Sequence, residues 1–356
     1  MTGEPAYGID FFRPGDAAGI VALFHAVYGE NYPAGGVYNP EEILRQEECH
    51  ETYRMVARSP EGEVIGQIAV YRSAPQNEKL YEIGQLVIRH DWRQHNIAFK
   101  LIHACTTGIP REHHIGLWGE AVCNHPFLQK MMVREGFIET ALAIDLMPES
   151  AYSLPTSQPG GGRVSTVVSF LPYSFQLRTL YVPGIYTDFF RFIYDAADPG
   201  HTFAVSRAGL PSGIATTGTM EIIPSAGVAR ISVPFAGADF TQWIGDKAAE
   251  AARSGVVVTQ VFLPLTLPWT GAIVEVLRKR GFFVGGPLFQ WFGDDGLLMQ
   301  EMSPAPDFER PALFTQRAMK IRDYVRDDWK AVNGMRSTFT VNEGIAGDVK
   351  TSRRQK

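Results

Sequence analysis

The stretch from Ile83 to Thr107 constrains this chain more than any other. An apolar run, Ile83 to Ile88, reads as a strand. It passes through Arg89-His90-Asp91-Trp92-Arg93-Gln94-His95 into a helix that opens near Asn96 and runs to about Thr107. A strand that turns directly into a helix aims a row of free backbone N–H groups, and the positive end of a helix dipole, at one point. That point is a seat for a pyrophosphate. The amides around Gln94, Asn96, Ile97 and Ala98 would hold it, and Arg93 would add charge. Glycine suits the Asn96 position best, because the turn is tight and a phosphate comes close to the backbone. Asparagine is the non-glycine residue that best tolerates a left-handed conformation. The same residues also fit a plain strand-turn-helix with no ligand at all.

The 356 residues suffice for two domains or one large one. With 45% hydrophobic and 20% charged residues the composition is that of a soluble chain. A net charge of −5, with no basic block except Arg353-Arg354-Gln355-Lys356, leaves no electrostatic footprint for nucleic acid. No apolar run approaches the roughly 18 residues needed to span a bilayer. Met1-Thr2-Gly3-Glu4-Pro5 does not open a secretory signal. Cys49, Cys105 and Cys123 lack metal-ligand spacing and fit reduced thiols. The expectation is a cytoplasmic protein without a membrane or nucleic-acid partner. The histidines around His113-His114 share no helix or strand face, so no metal is expected.

Patterning gives an element order. Tyr7–Phe12 is a strand, and Asp16 caps a helix carrying Ile20, Leu23, Phe24 and Val27. Pro40–Cys49 is a second helix. Tyr53–Arg58 and Val64–Tyr71 form a hairpin. After the central strand and helix come a strand at Ile115–Val122, a helix from His125-Pro126 to Gly136 and a strand at Ile138–Leu146. Residues 150–163, including Pro159-Gly160-Gly161-Gly162, have a linker composition. The expected domains are therefore 1–149 and 164–303, followed by a helix over Phe314–Val332 and a polar, mobile tail within 304–356. The second domain starts with a strand at Val164–Leu171. It continues with Val228–Pro234, a helix over Phe240–Arg253, a strand at Val256–Leu263 and a helix over Thr270–Arg280. Strands at Leu288–Phe292 and Gly296–Met302 end it. The helix-Gly-Phe ending occurs twice, at Gly136-Phe137 and Gly281-Phe282, which reads as an internal repeat. The fold class is α/β (α+β), two domains each with a central mixed, mostly antiparallel sheet flanked by helices.

Two carboxylates stand near the central strand. Glu82, at its start, is either a base whose pKa an apolar cleft would raise or a solvated strand-end carboxylate. Glu120, on the neighbouring strand, is the reserve candidate. Cys123 reads as a buried strand thiol or as an acid.

The turn at Arg93, Asn96 and Ala98 resembles the acetyl-CoA-binding motif of the GCN5-related N-acetyltransferases (GNAT), written Arg/Gln-x-x-Gly-x-Gly/Ala, with Asn96 in place of the first glycine. The element order over some 140 residues is similar to that family's fold. The run Cys123-Asn124-His125-Pro126-Phe127-Leu128-Gln129-Lys130 through Gly136-Phe137, and Phe262-Leu263-Pro264-Leu265 through Gly281-Phe282-Phe283, resemble bacterial tandem two-domain members. The resemblance implies acyl transfer from acetyl-CoA or another acyl-CoA to a small-molecule or peptide amine, by direct attack in a ternary complex. It implies Glu82 as general base, eleven residues before Arg93, and a strand amide near Val87 or Ile88 that polarises the thioester. It also implies cofactor contacts at Arg93, Gln94, His95, Asn96, Ile97, Ala98, Asn124 and Gln129. His125, standing where the family often has a cofactor-contacting asparagine, is a ligand contact, a proton donor or neither. Many members carry a tyrosine that protonates the leaving thiolate; Met132 stands there and has no proton to give. The second domain lacks the motif, because Val233-Pro234-Phe235-Ala236-Gly237-Ala238-Asp239 follows its central strand. It reads as a degenerate copy. A homodimer is compatible with the resemblance. The alternative function is an acyl-CoA-binding sensor or scaffold that does not turn over.

Overall fold

The structure is a computed structural model that describes residues 6–351 apart from 31, 33–34, 75, 94, 153–161, 175–176 and 198–199; at 152 and 335–351 it describes the backbone alone. The strands β1 (Gly8–Phe11), β2 (Thr52–Arg58), β3 (Val64–Arg72) and β4 (Leu80–Ile88) pair antiparallel in chain order, and β5 (Gly116–Val122) joins β4 in parallel. The helices α1 (Ala17–Tyr28) and α2 (Pro40–Glu48) cover one face through Ile20, Phe24 and Ile43. Asn39 caps α2 by accepting from the Glu41 and Glu42 N–H groups, with Pro40 in the first turn. Asp16 precedes α1 but does not cap it, since its carboxylate accepts from the Arg13 N–H at 2.6 Å and pairs with Arg58. On the other face α3 (Ile97–His113) and α4 (Phe127–Arg134) bury Leu101, Cys105 and Met131 against Ile68, Val70 and Leu117. The α3 helix does not stop at Thr107 but runs through Pro110, because burial of Ile109 and Pro110 offsets the hydrogen bond that proline removes.

The closing strands correct the expected domain boundary. β6 (Ile138–Pro148) does not touch β5 in the ladder; β7 (Arg163–Leu171) lies between them, antiparallel to both. Val164–Leu171, expected to open a second domain, therefore completes the first sheet. The expected linker, 150–163, instead spans the connection between two strands of one sheet together with the first residue of β7, and 153–161 lie outside the described residues. A run of Ser, Pro and Gly marks an irregular connection, but carries no information about which sheet the next strand joins.

The second half contributes β8 (Thr179–Val182), α5 (Thr187–Tyr194), β9 (Thr202–Val205) and β10 (Thr217–Ile223), none of them foreseen. It goes on with β11 (Val228–Phe235), α6 (Phe240–Arg253), β12 (Val258–Pro264), α7 (Thr270–Lys279), β13 (Phe283–Leu288) and β14 (Gly296–Met302). Its sheet runs β10-β11-β12-β14-β13, parallel only between β11 and β12. That is the order of β3-β4-β5-β7-β6, with a helix in each matching connection. Gly136 and Gly281, at φ 88° and 99°, end the matching helices. The strand expected at Leu288–Phe292 lies earlier, over Phe283–Leu288. Gly285-Gly286-Pro287 reads as a breaker in sequence. In the fold, Gly286 at φ 139° bulges the strand against β6, where a Cβ would meet the Thr140 carbonyl at 2.4 Å.

The two sheets share a core. Trp118, Leu142, Ile144, Val168 and Phe170 pack in one cluster with Phe262, Phe289, Trp291 and Leu298. Across both lies α8 (Gln316–Thr351), whose backbone continues as helix well past Val332, where a mobile tail was expected. Its Arg317 donates to the Glu139 and Ile193 carbonyls at 2.7 and 2.8 Å, and its Asp328 pairs with Arg278. Among the described residues no helix is long and apolar enough to cross a membrane.

Candidate active site

The β4–β5 ladder holds for three pairs only, Leu80 with Gly116, Tyr81 with Leu117 and Glu82 with Trp118. Beyond Glu82 the strands part. The cause is a bulge in β4, where Gln85 takes φ 53° and the register against β3 shifts between Gln67 and Ala69. The wedge so formed is closed underneath by Ile83 and Met132. A Cβ at Gly119 would lie 2.9 Å from the side chain of each, so a larger residue there would displace them. Met132 thus sits at the wedge apex, where it supplies a buried thioether and no proton.

The wedge leads to a cleft of about 880 Å³ between β4, the start of α3 and α4. Leu86, Ile88, Phe127 and Met131 give it apolar walls. Among the described residues, Arg93, Lys100, Lys130 and Arg134 line it and no carboxylate does, although the whole chain carries −5. Arg134 lies 4.2 Å over the Phe99 ring, which holds its guanidinium at the cleft wall. Asn96 stands at φ 57°, ψ 12°, the left-handed region that glycine serves in the family motif, and no side chain caps α3. The first α3 amides therefore point into a basic, half-apolar cleft with no acceptor from the helix itself. The Asn96→Gly variant should gain up to about 1 kcal/mol in stability. Asn96→Val should lose about 1–2 kcal/mol. Chemical denaturation of the three proteins checks the order.

On the opposite face of the sheet, the wedge opens on carboxylates. Burial, and then the nearby Glu120 carboxylate, push the Glu82 carboxyl up to about 7. The Ser73 hydroxyl, the Arg230 charge and the Tyr71 hydroxyl pull it back. Tyr71 lies across Gly84, where a Cβ would meet its hydroxyl oxygen at 2.8 Å. Its own ionisation is suppressed by burial and by Glu82. Arg230 comes from β11 and reaches Glu120 at 3.1 Å and Gln260 at 3.2 Å. Burial works against the Arg230 charge, but Glu120, with Glu82 and Glu221, outweighs it. The two faces of the wedge thus hold an anion-seeking cleft and a carboxyl poised near neutrality.

No protein-family model matches this chain, and no curated protein matches it. Solved structures similar to part of it include ribosomal-protein-S5-alanine acetyltransferase from Vibrio fischeri, at 11% identity and a TM-score of 0.36 over 47% of this chain and 93% of that one. Mutant forms of the spermidine/spermine N-acetyltransferase SpeG from Vibrio cholerae match at 14% identity and a TM-score of 0.35, over 47% of this chain and 94% of that one.

The residues singled out from sequence divide into three groups. Ile88, Arg93, Asn96, Ile97 and Ala98 line the cleft, and Glu82 and Glu120 meet at the wedge. Val87 is buried toward α1, and His95 sits beside the cleft with its carbonyl accepting from Tyr7 at 2.9 Å. Gln94 lies outside the described residues. Three residues are elsewhere. Gln129 is buried and spends its amide on the Ala312 carbonyl and the Phe314 N–H, bracing the segment before α8. Asn124 borders a separate hollow with Cys123 and Arg310, and His125 is exposed outside the cleft. The turn before α4 points them away from β4, which residue spacing alone does not reveal. Sequence reasoning missed Lys130 and Arg134, whose i, i+4 spacing on α4 was a usable signal. It also missed Tyr71, Ser73 and Arg230.

Among the described residues the second half shows no cleft between β11 and the start of α6. β11 and β12 pair over five residues, from Val228–Val258 to Ser232–Phe262, two more than β4 and β5. The start of α6 is filled by the chain itself. The Gly237 N–H donates to Thr216 and the Ala238 N–H to the Pro211 carbonyl, at 3.1 and 2.9 Å. A Cβ at Gly237 would meet the Ile214 carbonyl at 1.8 Å.

Proposed function

We propose that this chain is a tandem GNAT-type N-acyltransferase, acting with acetyl-CoA or another acyl-CoA on an amine, with one working site in its first half. The observation that carries the reading is the opening of the β4–β5 ladder directly after Glu82, between a basic cleft and a buried carboxyl. Arg93, Lys130, Arg134 and the α3 amides would take the phosphates of the acyl-CoA. The pantetheine arm would enter the wedge and pair with β4 amides near Val87 and Ile88, one of which would polarise the thioester carbonyl. Glu82 would accept the ammonium proton. The amine nitrogen then attacks the carbonyl carbon, a C–N bond forms, the C–S bond breaks and its electron pair leaves with sulfur. Met132 cannot protonate that thiolate, so the proton returns from Glu82 or from water.

The reading is tested by binding before activity. Acetyl-CoA should raise the melting temperature of the full chain, and Lys130→Glu/Arg134→Glu should weaken its affinity at least tenfold, with a smaller salt dependence. No thermal shift in wild type would refute the reading. A shift without acyl transfer to any amine would favour the sensor alternative.

A further inference from the structure

A second cavity, of about 210 Å³, lies where the two halves meet, and it touches the groups that surround Glu82. Ser73, which faces Glu82, lines it from the first half; Arg230, Ser232, Phe262 and Trp291 line it from the second. Its rim is Thr219, Met220 and the exposed Glu221 of β10. The inner end is aromatic and rigid. Phe262 and Trp291 stack at 5.0 Å, and Trp291 meets Trp118, the ladder partner of Glu82, edge to face at 4.8 Å.

The polar groups of this cavity are incompletely satisfied. Ser232 and Trp291 are 5% and 4% exposed, yet the Ser232 hydroxyl and the Trp291 indole N–H have no hydrogen-bond partner among the described residues. Leaving such groups unpaired is costly. The indole N–H can only donate, so what satisfies it must bring an acceptor oxygen. Arg230 adds a positive charge at the same wall, with N–H groups beyond the two that serve Glu120 and Gln260. Glu82, beside Ser73, is the group that suits an amine.

We propose that this cavity is the acceptor site and that the acceptor is a small free amino acid. Its carboxylate is held by Ser232, Trp291 and Arg230, and its amine is turned toward Glu82. The proposal rests on the acyltransferase reading and adds to it a role for the degenerate half, which supplies the carboxylate-binding wall. The volume admits one amino acid, with its side chain directed to the open rim at Thr219 and Glu221. A folded protein substrate would reach it only by inserting a terminus or a side chain.

The test is release of free CoA thiol by the full-length protein with acetyl-CoA and matched acceptor pairs. Each amino acid is compared with the amine that lacks only its carboxylate, such as serine with ethanolamine. At least one amino acid should be acetylated with a kcat/KM tenfold or more above its decarboxylated partner. For that amino acid, Ser232→Ala and Trp291→Phe should each raise KM about tenfold, with the KM for acetyl-CoA unchanged. Trp291→Phe keeps an aromatic ring in the stack, and Ser232→Ala guards against a packing defect from it. Equal or better use of the decarboxylated amines, preference for polyamines or for peptide N-termini, or an unchanged KM in both variants overturns the proposal while the acyltransferase reading stands. Failure of acetyl-CoA to bind at all removes both.

Discussion

Replacing Glu82 by glutamine should abolish acyl transfer, leave acetyl-CoA binding intact and make the protein more stable at pH 8. The first effect follows from proton transfer, since loss of a positioned base typically costs a factor of about 10²–10⁴ in rate. Binding survives because Glu82 lies on the far side of the wedge from the basic cleft. The third effect follows from linkage. The folded protein holds the Glu82 proton up to about 7, whereas the group in its ordinary setting releases it near 4.5. Between those values the folded state binds a proton that the unfolded chain has given up. Glu82 therefore costs no ionisation penalty at low pH, and the penalty grows as pH rises through the window, reaching about 3 kcal/mol. Glutamine carries no proton to lose and escapes it. Thermal melts at pH 5 and pH 8 should show the variant gaining on wild type as pH rises. An equal gap at both values would show that Glu82 is not perturbed. In the wild type, kcat/KM should rise with pH through about 7, as Glu82 releases its proton.

Much of the first half was legible because its signals are local. The strand into Ile88, the left-handed Asn96 and the Gly136 helix stop each follow from a few neighbouring residues, and each stands where patterning put it. What patterning could not give was pairing at a distance. Arg163–Leu171 alternates and caps like any strand, and nothing in it states that its partners are β5 and β6. Arg230 is a similar case. It is a charged residue in the middle of an apolar strand of an apparently degenerate copy, and only the packing of the sheets carries it to Glu120. Glu82 was legible as a candidate but not as a perturbed acid, because its neighbours Tyr71, Ser73, Glu120 and Arg230 come from three other strands and a loop. Gln129 is the opposite case: its place in the sequence suggested a ligand contact, but the segment before α8 claims its side chain.

The topology makes a further strong prediction: the chain should not be divisible at the boundary that its composition suggests. A fragment of residues 1–149 lacks β7, and both β5 and β6 then lose their ladder partner on that side. Extending the fragment to residue 172 restores the sheet but bares Trp118, Leu142, Ile144, Val168 and Phe170, which the second half covers. At about 1.5–3 kcal/mol for each large apolar side chain, that exposure amounts to roughly 10 kcal/mol. A domain is stable by only about 5–15 kcal/mol in total. The 1–149 fragment should be insoluble. The 1–172 fragment should aggregate alone and become soluble when co-expressed with 173–356, and the intact chain should melt in a single transition. A soluble, cooperatively folded 1–149 fragment that binds acetyl-CoA would refute this account. The second half is therefore retained for two physical reasons, the apolar face it covers and the arginine it extends to the Glu82–Glu120 pair. The first requires only a sheet with an apolar face. The second requires Arg230 in particular, so Arg230→Met should keep the fold and shift the acid limb of kcat/KM to higher pH, as the charge that holds Glu82 down is removed.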